Sequence, residues 1–151
     1  MTQRAFRLDH FLPYLLNQAA ERTGSKFEQV YRDTYGLTRT RWRVISHLGT
    51  LGDMTAAAIS RSSHTEKTKV SRAVAALEAE GLVLRVPSTV DRRTELLQLT
   101  DAGRSLFVSL SAEADRFDQE LRTALGTDIA ARLEQTLRQL AVDALPKLPD
   151  K

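Results

Sequence analysis

The sequence predicts a mainly helical fold with one small β-hairpin near its centre. Apolar residues recur every three or four positions over most of the 151 residues, a spacing typical of amphipathic helices. Two short strand-like runs, 82–86 and 95–99, interrupt that spacing and are joined by a polar loop. The chain length suits one domain, 1–151.

The first predicted helix fills most of the N-terminal quarter. Its apolar stripe comprises Leu8, Phe11, Leu15 and Ala19. Asp9 is the expected N-cap, and Pro13 lies in the first turn, where its missing N–H costs least. Gly24–Ser25 marks either a bend or a break, and Gly36 is expected to end the helix in the left-handed conformation.

Two short helices follow. Thr38 or Thr40 caps the first of them, and 48–53 is expected to be a loop. Its core-facing residues are Trp42, Ile45 and Leu48. Thr55 then caps an alanine-rich helix that continues to about Ser62.

The next helix is predicted to cover Glu66–Glu80. Ser63 and Glu66 have the spacing of a capping box at its start, and Gly81 stops it. Its buried stripe comprises Val70, Val74 and Leu77.

After the hairpin, two long helices are predicted. Thr100 caps a helix that starts at Asp101, Gly126–Asp128 breaks it, and the last helix ends before Pro146 and Pro149. The two apolar stripes comprise Leu106, Leu110, Phe117 and Leu121 in one helix and Ile129, Leu133, Leu137 and Leu140 in the other.

Positive charge concentrates in the middle of the chain. Residues 61–93 hold seven basic and four acidic side chains, an excess that equals the net charge of +3 for the whole protein. A short helix that braces a second one, followed by a hairpin, is the pattern of a winged helix-turn-helix, whose second helix presents its N-terminal residues to DNA. The exposed face of that recognition helix carries Lys67, Thr68, Lys69, Ser71 and Arg72, and the preceding turn adds Ser63 and His64.

The hairpin tip has the sequence Asp91-Arg92-Arg93. A projecting arginine suits a narrowed minor groove, where the negative potential is deeper. We expect either Arg92 or Arg93 to reach DNA and the other to be structural. Asp91 is expected to pair with an arginine and fix the loop, because a carboxylate is repelled by phosphate. An ordinary polar loop is the alternative interpretation.

Three arginines, Arg39, Arg41 and Arg43, lie around the start of the second helix. Cations are unfavourable at the positive end of the helix dipole. Either they form a solvated face or they contact phosphate beside the operator, and we favour the solvated face for Arg39 and Arg41.

Several motifs follow one another in the order typical of a known family. They are Val70-Ser71-Arg72, the run Leu77–Val83, Asp91-Arg92-Arg93, the run Leu97–Thr100, and Gly103. On these residues the chain resembles, over nearly its whole length, the MarR family of bacterial transcription regulators. The turn Ser62–Thr65 departs from the hydrophobic residue and glycine that many members have there.

The resemblance implies a homodimer on a pseudo-palindromic operator. Dimerisation helices would occupy about 1–36 and 101–148, and the winged module about 37–100. Arg92 and Arg93 match the family's wing arginines, Asp91 its wing aspartate. An intramolecular core is the alternative role for the terminal stripes, but isologous packing across a two-fold axis explains their length better.

The resemblance also implies a small-molecule pocket between the dimerisation helices and the winged module. The expected lining is His10, Phe11, Tyr14, Trp42 and His47, and the expected effector is a small aromatic or phenolic molecule. Core packing is the alternative role for these aromatic side chains. The histidines lack metal-ligand spacing and the chain has no cysteine, so we expect neither a metal nor a cofactor.

The sequence therefore predicts a DNA-binding transcriptional regulator, a homodimeric repressor that an effector releases from its operator. An activator of the same fold and a winged-helix protein–protein module without DNA binding are the alternatives. No nucleophile–base pair or phosphate-binding glycine loop suggests an enzyme. No apolar run approaches the roughly 18 residues of a membrane span, and no signal peptide is evident, so we expect a cytoplasmic protein without a membrane partner.

Overall fold

The computed structural model describes residues 5–142 and confirms a mainly helical fold with a two-stranded antiparallel sheet. A short 3₁₀ turn, Leu8–His10, precedes the first helix. The elements are α1 (Leu12–Tyr35), α2 (Arg39–Leu51), α3 (Ala56–Ser62), α4 (Lys67–Ala79), β1 (Val83–Pro87), β2 (Glu95–Leu99), α5 (Asp101–Leu125) and α6 (Thr127–Ala141). The chain divides within α5 into two compact units, one ending at Ser111 and the other beginning at Ala112.

Helix α1 starts later than the sequence predicts and then runs without a break. Its N-cap residue is Phe11, whereas the Asp9 carboxylate accepts hydrogen bonds from the Arg7 guanidinium, so the predicted Asp9 cap is wrong. Pro13 lies in the first turn as predicted. The helix continues through Gly24–Ser25, which excludes a break there. Gly36 ends it with φ +65°, the left-handed C-cap that the sequence predicts.

Helices α2 and α3 both have threonine caps. The Thr38 hydroxyl accepts the Arg41 N–H at 3.3 Å, and the Thr55 hydroxyl accepts the Ala58 N–H at 3.0 Å. Helix α2 extends to Leu51, so the loop predicted to start at residue 48 begins only at Gly52. The glycine takes φ +84°, a conformation that ends the helix and that other residues rarely adopt.

The predicted capping box at the start of α4 is wrong. The Ser63 hydroxyl donates to the Ile59 carbonyl at 2.6 Å and so completes α3. Glu66 is itself the N-cap residue of α4, without a side-chain capping bond. Ser63 and Glu66 have the spacing of a capping box, but these residues belong to the turn between α3 and α4, where His64 has φ +49°. The capping box therefore does not form.

The core lies among α2, α3, α4 and the hairpin, with contributions from the end of α1. The predicted stripe of α4 is confirmed, since Val70, Val74 and Leu77 are buried. The hairpin pairs Val83 with Leu99 and Pro87 with Glu95. Met54 adds a single antiparallel bridge to Leu97, with N–H to carbonyl distances of 2.8 and 3.3 Å. Other buried members of this core are Tyr31, Leu37, Val44, Ile45, Leu48, Ile59, Ala73, Val83, Leu97, Leu99 and Leu110.

The junction between the hairpin and α5 is closely packed. The Thr100 hydroxyl donates to the Gly81 carbonyl at 2.6 Å and accepts the Gly103 N–H at 3.0 Å, which confirms Thr100 as the cap of α5. A Cβ at Gly103 would lie 2.0 Å from the Leu82 carbonyl oxygen. Only glycine therefore fits at this contact.

The terminal helices leave apolar side chains exposed in the single chain. Gly126 alone, at φ +90°, separates α5 from α6, so the predicted break of three residues is too long. Ile129 of α6 is 61% exposed and Leu12 of α1 71% exposed. Pro146 and Pro149 lie outside the described residues. Within residues 5–142 no helix has the length and apolarity needed to cross a membrane.

Candidate nucleic-acid interface

Helix α4 separates a buried apolar face from an exposed polar one. All five side chains predicted to contact DNA from this helix are exposed: Lys67, Thr68, Lys69, Ser71 and Arg72. They lie in its first two turns, near the N-terminus that follows Glu66. The free N–H groups and the partial positive charge of a helix N-terminus favour a phosphate there.

The cations of α4 differ from the arginine in the neighbouring strand. Arg85 of β1 binds Glu78 at 3.1 Å and Glu95 at 3.3 Å, and the hydrogen bond to Glu78 is the main cause of its raised pKa. In the part of the chain that the structure describes, Lys67, Lys69 and Arg72 have no carboxylate within ion-pair distance. Their charge is therefore available to a polyanion.

The hairpin tip is held by hydrogen bonds to its own backbone. The Ser88 hydroxyl accepts the Val90 N–H at 3.2 Å, and the Asp91 carboxylate accepts the Arg93 N–H at 3.0 Å and the Thr94 hydroxyl at 3.2 Å. The predicted pairing of Asp91 with an arginine side chain is therefore wrong, because its short side chain bonds the backbone two residues ahead as in an Asx turn. The fixed loop leaves both side chains of Arg92 and Arg93 exposed.

The two candidates in the turn before α4 have different surroundings. Ser63 is half-buried, and its hydroxyl is engaged by the Ile59 carbonyl. His64 is exposed and lines a polar cavity of about 500 Å³, together with Arg43, Thr65 and Lys69. We call this cavity the turn cavity. His64 therefore lies next to the start of α4, whereas Ser63 serves the end of α3.

A second cavity, of about 280 Å³, lies between α1 and α2, and we call it the α1–α2 cavity. Phe27, Tyr31 and Trp42 form an aromatic cluster in its lining. The ring centroids of Tyr31 and Trp42 are 5.8 Å apart and stacked, and those of Phe27 and Trp42 are 5.3 Å apart edge to face. Phe27 and Tyr31 belong to the apolar stripe of α1 that the sequence predicts, but the predicted effector pocket did not include them.

The structure brings only one of the predicted effector-pocket residues to this cavity. Trp42 lines it, whereas His10, Phe11, Tyr14 and His47 do not. The remaining four are placed as follows: His10 within 3.7 Å of the Asp9 carboxylate, Phe11 exposed, Tyr14 half-buried, and His47 with Nδ1 2.7 Å from the Arg43 carbonyl.

Ion pairs connect the start of α2 to α1 and α4. Arg39 binds Glu21 at 3.1 Å and Glu28 at 2.8 Å, and its hydrogen bond is the main cause of the lowered pKa of Glu21. Arg41 binds Glu80 at 2.8 Å. The solvated face expected for Arg39 and Arg41 is thus a set of ion pairs, and both side chains are only partly exposed.

Arg43 is placed differently from both of these arginines. It lines the α1–α2 cavity and the turn cavity, and its Nη1 donates to the Thr65 hydroxyl at 3.0 Å. Within residues 5–142 no carboxylate lies within ion-pair distance of it. No group of three His, Cys, Asp or Glu side chains in the same described range is arranged to hold a metal ion.

Comparison with known proteins identifies the fold. The family model described as MarR family matches residues 35–94, which run from the end of α1 to the hairpin tip. A crystal structure of the MarR family transcriptional regulator SPO1453 from Silicibacter pomeroyi DSS-3 is 33% identical, with a TM-score of 0.80, over 90% of this chain and 96% of that chain. The chain belongs to the MarR family.

One further relative is named as a transcriptional regulator, and one further solved structure shares the fold. The transcriptional regulator FarR of Neisseria gonorrhoeae is 25% identical over 126 residues, which are 83% of this chain and 86% of FarR. BpsR of Bordetella bronchiseptica, whose DNA binding is regulated by 6-hydroxynicotinic acid, shares the fold with a TM-score of 0.79 and 22% identity, over 92% of this chain and 99% of that chain. The protein is thus a transcriptional regulator of the winged-helix class, and the relatives confirm that it is not an enzyme.

Proposed function

We propose that this MarR family regulator binds operator DNA as a homodimer and represses transcription until a small aromatic effector releases it. The observation that carries the proposal is a set of exposed cations on α4 and the hairpin tip that have no carboxylate partner among the described residues. The set comprises Lys67, Lys69, Arg72, Arg92 and Arg93.

The arrangement of α4 and the hairpin supports a two-groove contact. Helix α4 would lie in a major groove with Thr68 and Ser71 near base edges, and Arg92 or Arg93 would lie by the adjacent minor groove. The Ser88 and Asp91 bonds fix the loop before DNA arrives, which lowers the entropy lost on binding. Two such modules must lie about 34 Å apart to contact both half-sites.

The exposed apolar faces support the homodimer. Leu12 and Leu16 of α1 and Ile129 and Leu133 of α6 are exposed in the single chain. A second copy would bury equivalent faces across a two-fold axis. We assign the dimerisation role to about 1–36 and 101–148, and the DNA-binding role to about 37–100.

The effector part of the proposal is supported by the cavities and by one relative. BpsR responds to 6-hydroxynicotinic acid, a hydroxylated aromatic acid. Here the α1–α2 cavity combines an aromatic cluster with Arg39 and Arg43. A ligand that binds better to a form with altered spacing of the two α4 helices would lower DNA affinity.

A titration of labelled duplex DNA tests the DNA-binding part. The duplex should carry an inverted repeat from the DNA upstream of the protein's own gene, with a scrambled duplex as the competitor. We expect Arg72→Ala, and the double variant Arg92→Ala/Arg93→Ala, each to weaken binding by about tenfold or more and to reduce the salt slope by about one or more. The matched control is Arg132→Ala, which removes an exposed cation from α6 and should leave affinity unchanged.

The same titration separates the proposal from a protein–protein module. Equal affinity of all four proteins for DNA, or no binding at low salt, would overturn the assignment. The repressor role is tested by a reporter gene that carries the repeat at its promoter. Expression should rise when the regulator is deleted, and a fall would indicate an activator.

A further inference from the structure

We propose that Arg85 is a positioning residue that fixes the hairpin against α4, so that the major-groove and minor-groove contacts can form together. Its guanidinium joins a carboxylate of α4, Glu78, to a carboxylate of β2, Glu95. This inference rests on the proposed DNA binding and deepens it. It gives Arg85, one of the seven basic side chains of residues 61–93, a role other than contact with DNA.

Strand pairing places Arg85 where the buried face of the hairpin ends. Directly opposite residues of an antiparallel pair share a face, as do residues two apart along one strand. Arg85 lies opposite Leu97, which is 1% exposed, and two residues after Val83, which is 2% exposed. Toward the tip, the next residue of this face after Leu97 is Glu95. The bridge therefore continues the contact between the hairpin and α4 beyond the last buried apolar side chains.

The geometry of the bridge lets one side chain hold three elements together. The Arg85 Nε donates to the Glu78 carboxylate at 3.1 Å, and its Nη1 donates to the Glu95 carboxylate at 3.3 Å. A guanidinium presents its donors in a rigid planar fork, so two carboxylates bound at different nitrogen atoms also fix the direction of the arginine. Arg85 thereby connects β1 to α4 and to β2.

The charges of the bridge make Arg85 a poor contact for phosphate. Two carboxylates outweigh one guanidinium, so the bridge as a whole is negative and repels a polyanion. In contrast, Arg92 and Arg93 have no carboxylate within ion-pair distance among residues 5–142. Arg85 therefore affects DNA binding through the placement of the hairpin and not through its own charge.

The hairpin needs such a bridge because two strands alone do not fix the direction of its tip. The twist between strands is larger in two-stranded ribbons than in wider sheets, and it varies between them. The hydrogen bonds of Ser88 and Asp91 fix the tip loop internally, but they do not join it to α4. A hairpin that is already held against α4 loses less freedom when Arg92 and Arg93 meet DNA.

Removal of the two carboxylates distinguishes positioning from direct contact, because the two roles predict opposite results. The double variant Glu78→Gln/Glu95→Gln keeps every cation and removes two negative charges. If Arg85 contacts phosphate directly, this variant should bind the labelled operator duplex as tightly as wild type or more tightly. Positioning predicts instead that it binds about threefold or more weakly.

Glu66→Gln is the matched control for the loss of negative charge. Glu66 is exposed at the start of α4 and has neither a side-chain capping bond nor an ion pair among the described residues. Its substitution breaks no bridge, so the variant should bind the operator at least as tightly as wild type. Denaturant titration should show little change in stability for either variant, because exposed ion pairs contribute little to it.

A double-mutant cycle with the arginines of the hairpin tip tests how the bridge acts. Arg92→Ala/Arg93→Ala should weaken operator binding of the otherwise wild-type protein by about tenfold or more. In the Glu78→Gln/Glu95→Gln background the same change should cost only about threefold or less, because a misplaced tip has less contact to lose. The salt slope of that background should also fall although no cation is removed. A merely structural role would leave both the cost and the slope unchanged.

The outcomes separate this inference from the proposed function. Failure of the wild-type protein to bind the operator would refute the proposed function. Operator binding that Glu78→Gln/Glu95→Gln does not weaken, or a tip contribution that keeps its wild-type size in that variant, would overturn the inference and leave the DNA-binding assignment intact. If the double variant does not fold, Arg85→Gln takes its place in the cycle. The cost of the tip substitutions should again fall, and an unchanged cost would overturn the positioning role.

Discussion

The winged module and the terminal helices differ in where their apolar side chains lie. In α4 the stripe Val70, Val74 and Leu77 is at most 1% exposed, whereas in α6 Leu133 and Leu137 remain 42% and 43% exposed. Both helices have the same amphipathic spacing. The module therefore closes its own core, whereas the terminal helices leave apolar faces exposed in the single chain.

The two regions also differ in the ion pairing of their charged side chains. In the second unit, Arg122 and Arg138 bind carboxylates of their own or the neighbouring helix, Glu134 among them. In the module, the cations of α4 and the hairpin tip have no such partner within residues 5–142. The module thus buries the apolar face of α4 and leaves the cations of α4 and the hairpin tip without carboxylate partners among the described residues. A nucleic-acid contact requires this arrangement.

Of the substitutions considered, truncation of a core residue should lower the stability of the protein the most. Leu77→Ala removes a side chain that is 0% exposed, and we expect it to lower the free energy of unfolding by about 2–5 kcal/mol. Leu84→Ala, at a position 37% exposed on β1, is the control and should cost less than about 1 kcal/mol. Denaturant titration measures both, and equal losses would contradict the closed core of the module.

A charge introduced on the exposed apolar face of α6 should weaken the association of two protomers. Leu133→Glu is expected to weaken the dimer by about tenfold or more, because it removes apolar burial worth about 1.5–3 kcal/mol. Sedimentation across a concentration series measures this effect. Gln135→Glu adds the same charge at an exposed position of α6 off the stripe and should leave the dimer intact. Unchanged sedimentation of both variants would show that this face is not the interface.

Two glycines provide a smaller test of packing. Gly103→Ala should lower the free energy of unfolding by about 1–3 kcal/mol, since the new Cβ meets the Leu82 carbonyl. Gly24→Ala in α1 has nothing within 4 Å of the new Cβ and should raise it by about 0.5–1 kcal/mol. Paired thermal and denaturant unfolding measures the difference. A loss in Gly24→Ala would mean that another surface contacts α1 at this position.

The smallest expected effect is the response of the α1–α2 ion pairs to acid. The Arg39 hydrogen bond lowers the pKa of Glu21, so this pair stabilises the fold above the ordinary range of a glutamate and is lost as pH falls through the lowered value. Glu21→Gln should therefore be less stable than wild type at neutral pH, and the two should converge in acid. Denaturant titrations across the acid range measure this difference.

Glu120→Gln is the control for that experiment, since Glu120 is exposed in α5 and has no ion pair among the described residues. Its stability should follow the wild-type curve throughout. A constant gap between Glu21→Gln and wild type down to the lowest pH would contradict the assigned pair.

Local patterns predicted most of the elements but not every boundary. Gly36, Thr38, Thr55 and Thr100 mark helix ends as expected, because caps depend on a few neighbouring residues. The capping box at Ser63 is wrong, since its hydroxyl was equally able to serve the helix before it. A short polar side chain between two helices has two possible partners, and the turn geometry selects one.

The candidate DNA contacts of α4 were also predictable, because they depend only on neighbouring residues of one helix. Lys67, Thr68, Lys69, Ser71 and Arg72 lie away from the buried stripe of the same helix, and helical spacing alone places them on an exposed face. The cavity residues were not predictable from spacing. Phe27, Tyr31 and Arg43 meet Trp42 and Thr65 only because α1, α2 and the turn before α4 pack together.

Residues close together along the chain encode the order of the elements, the buried stripe of α4, the basic face opposite it and the family, and all of these can be read without a structure. The partners of the arginines of α2 depend instead on how distant segments pack. Arg39 meets Glu21, Arg41 meets Glu80 and Arg43 meets Thr65 across 18, 39 and 22 residues. Such contacts depend on how the helices cross, and no periodicity within one helix specifies that geometry.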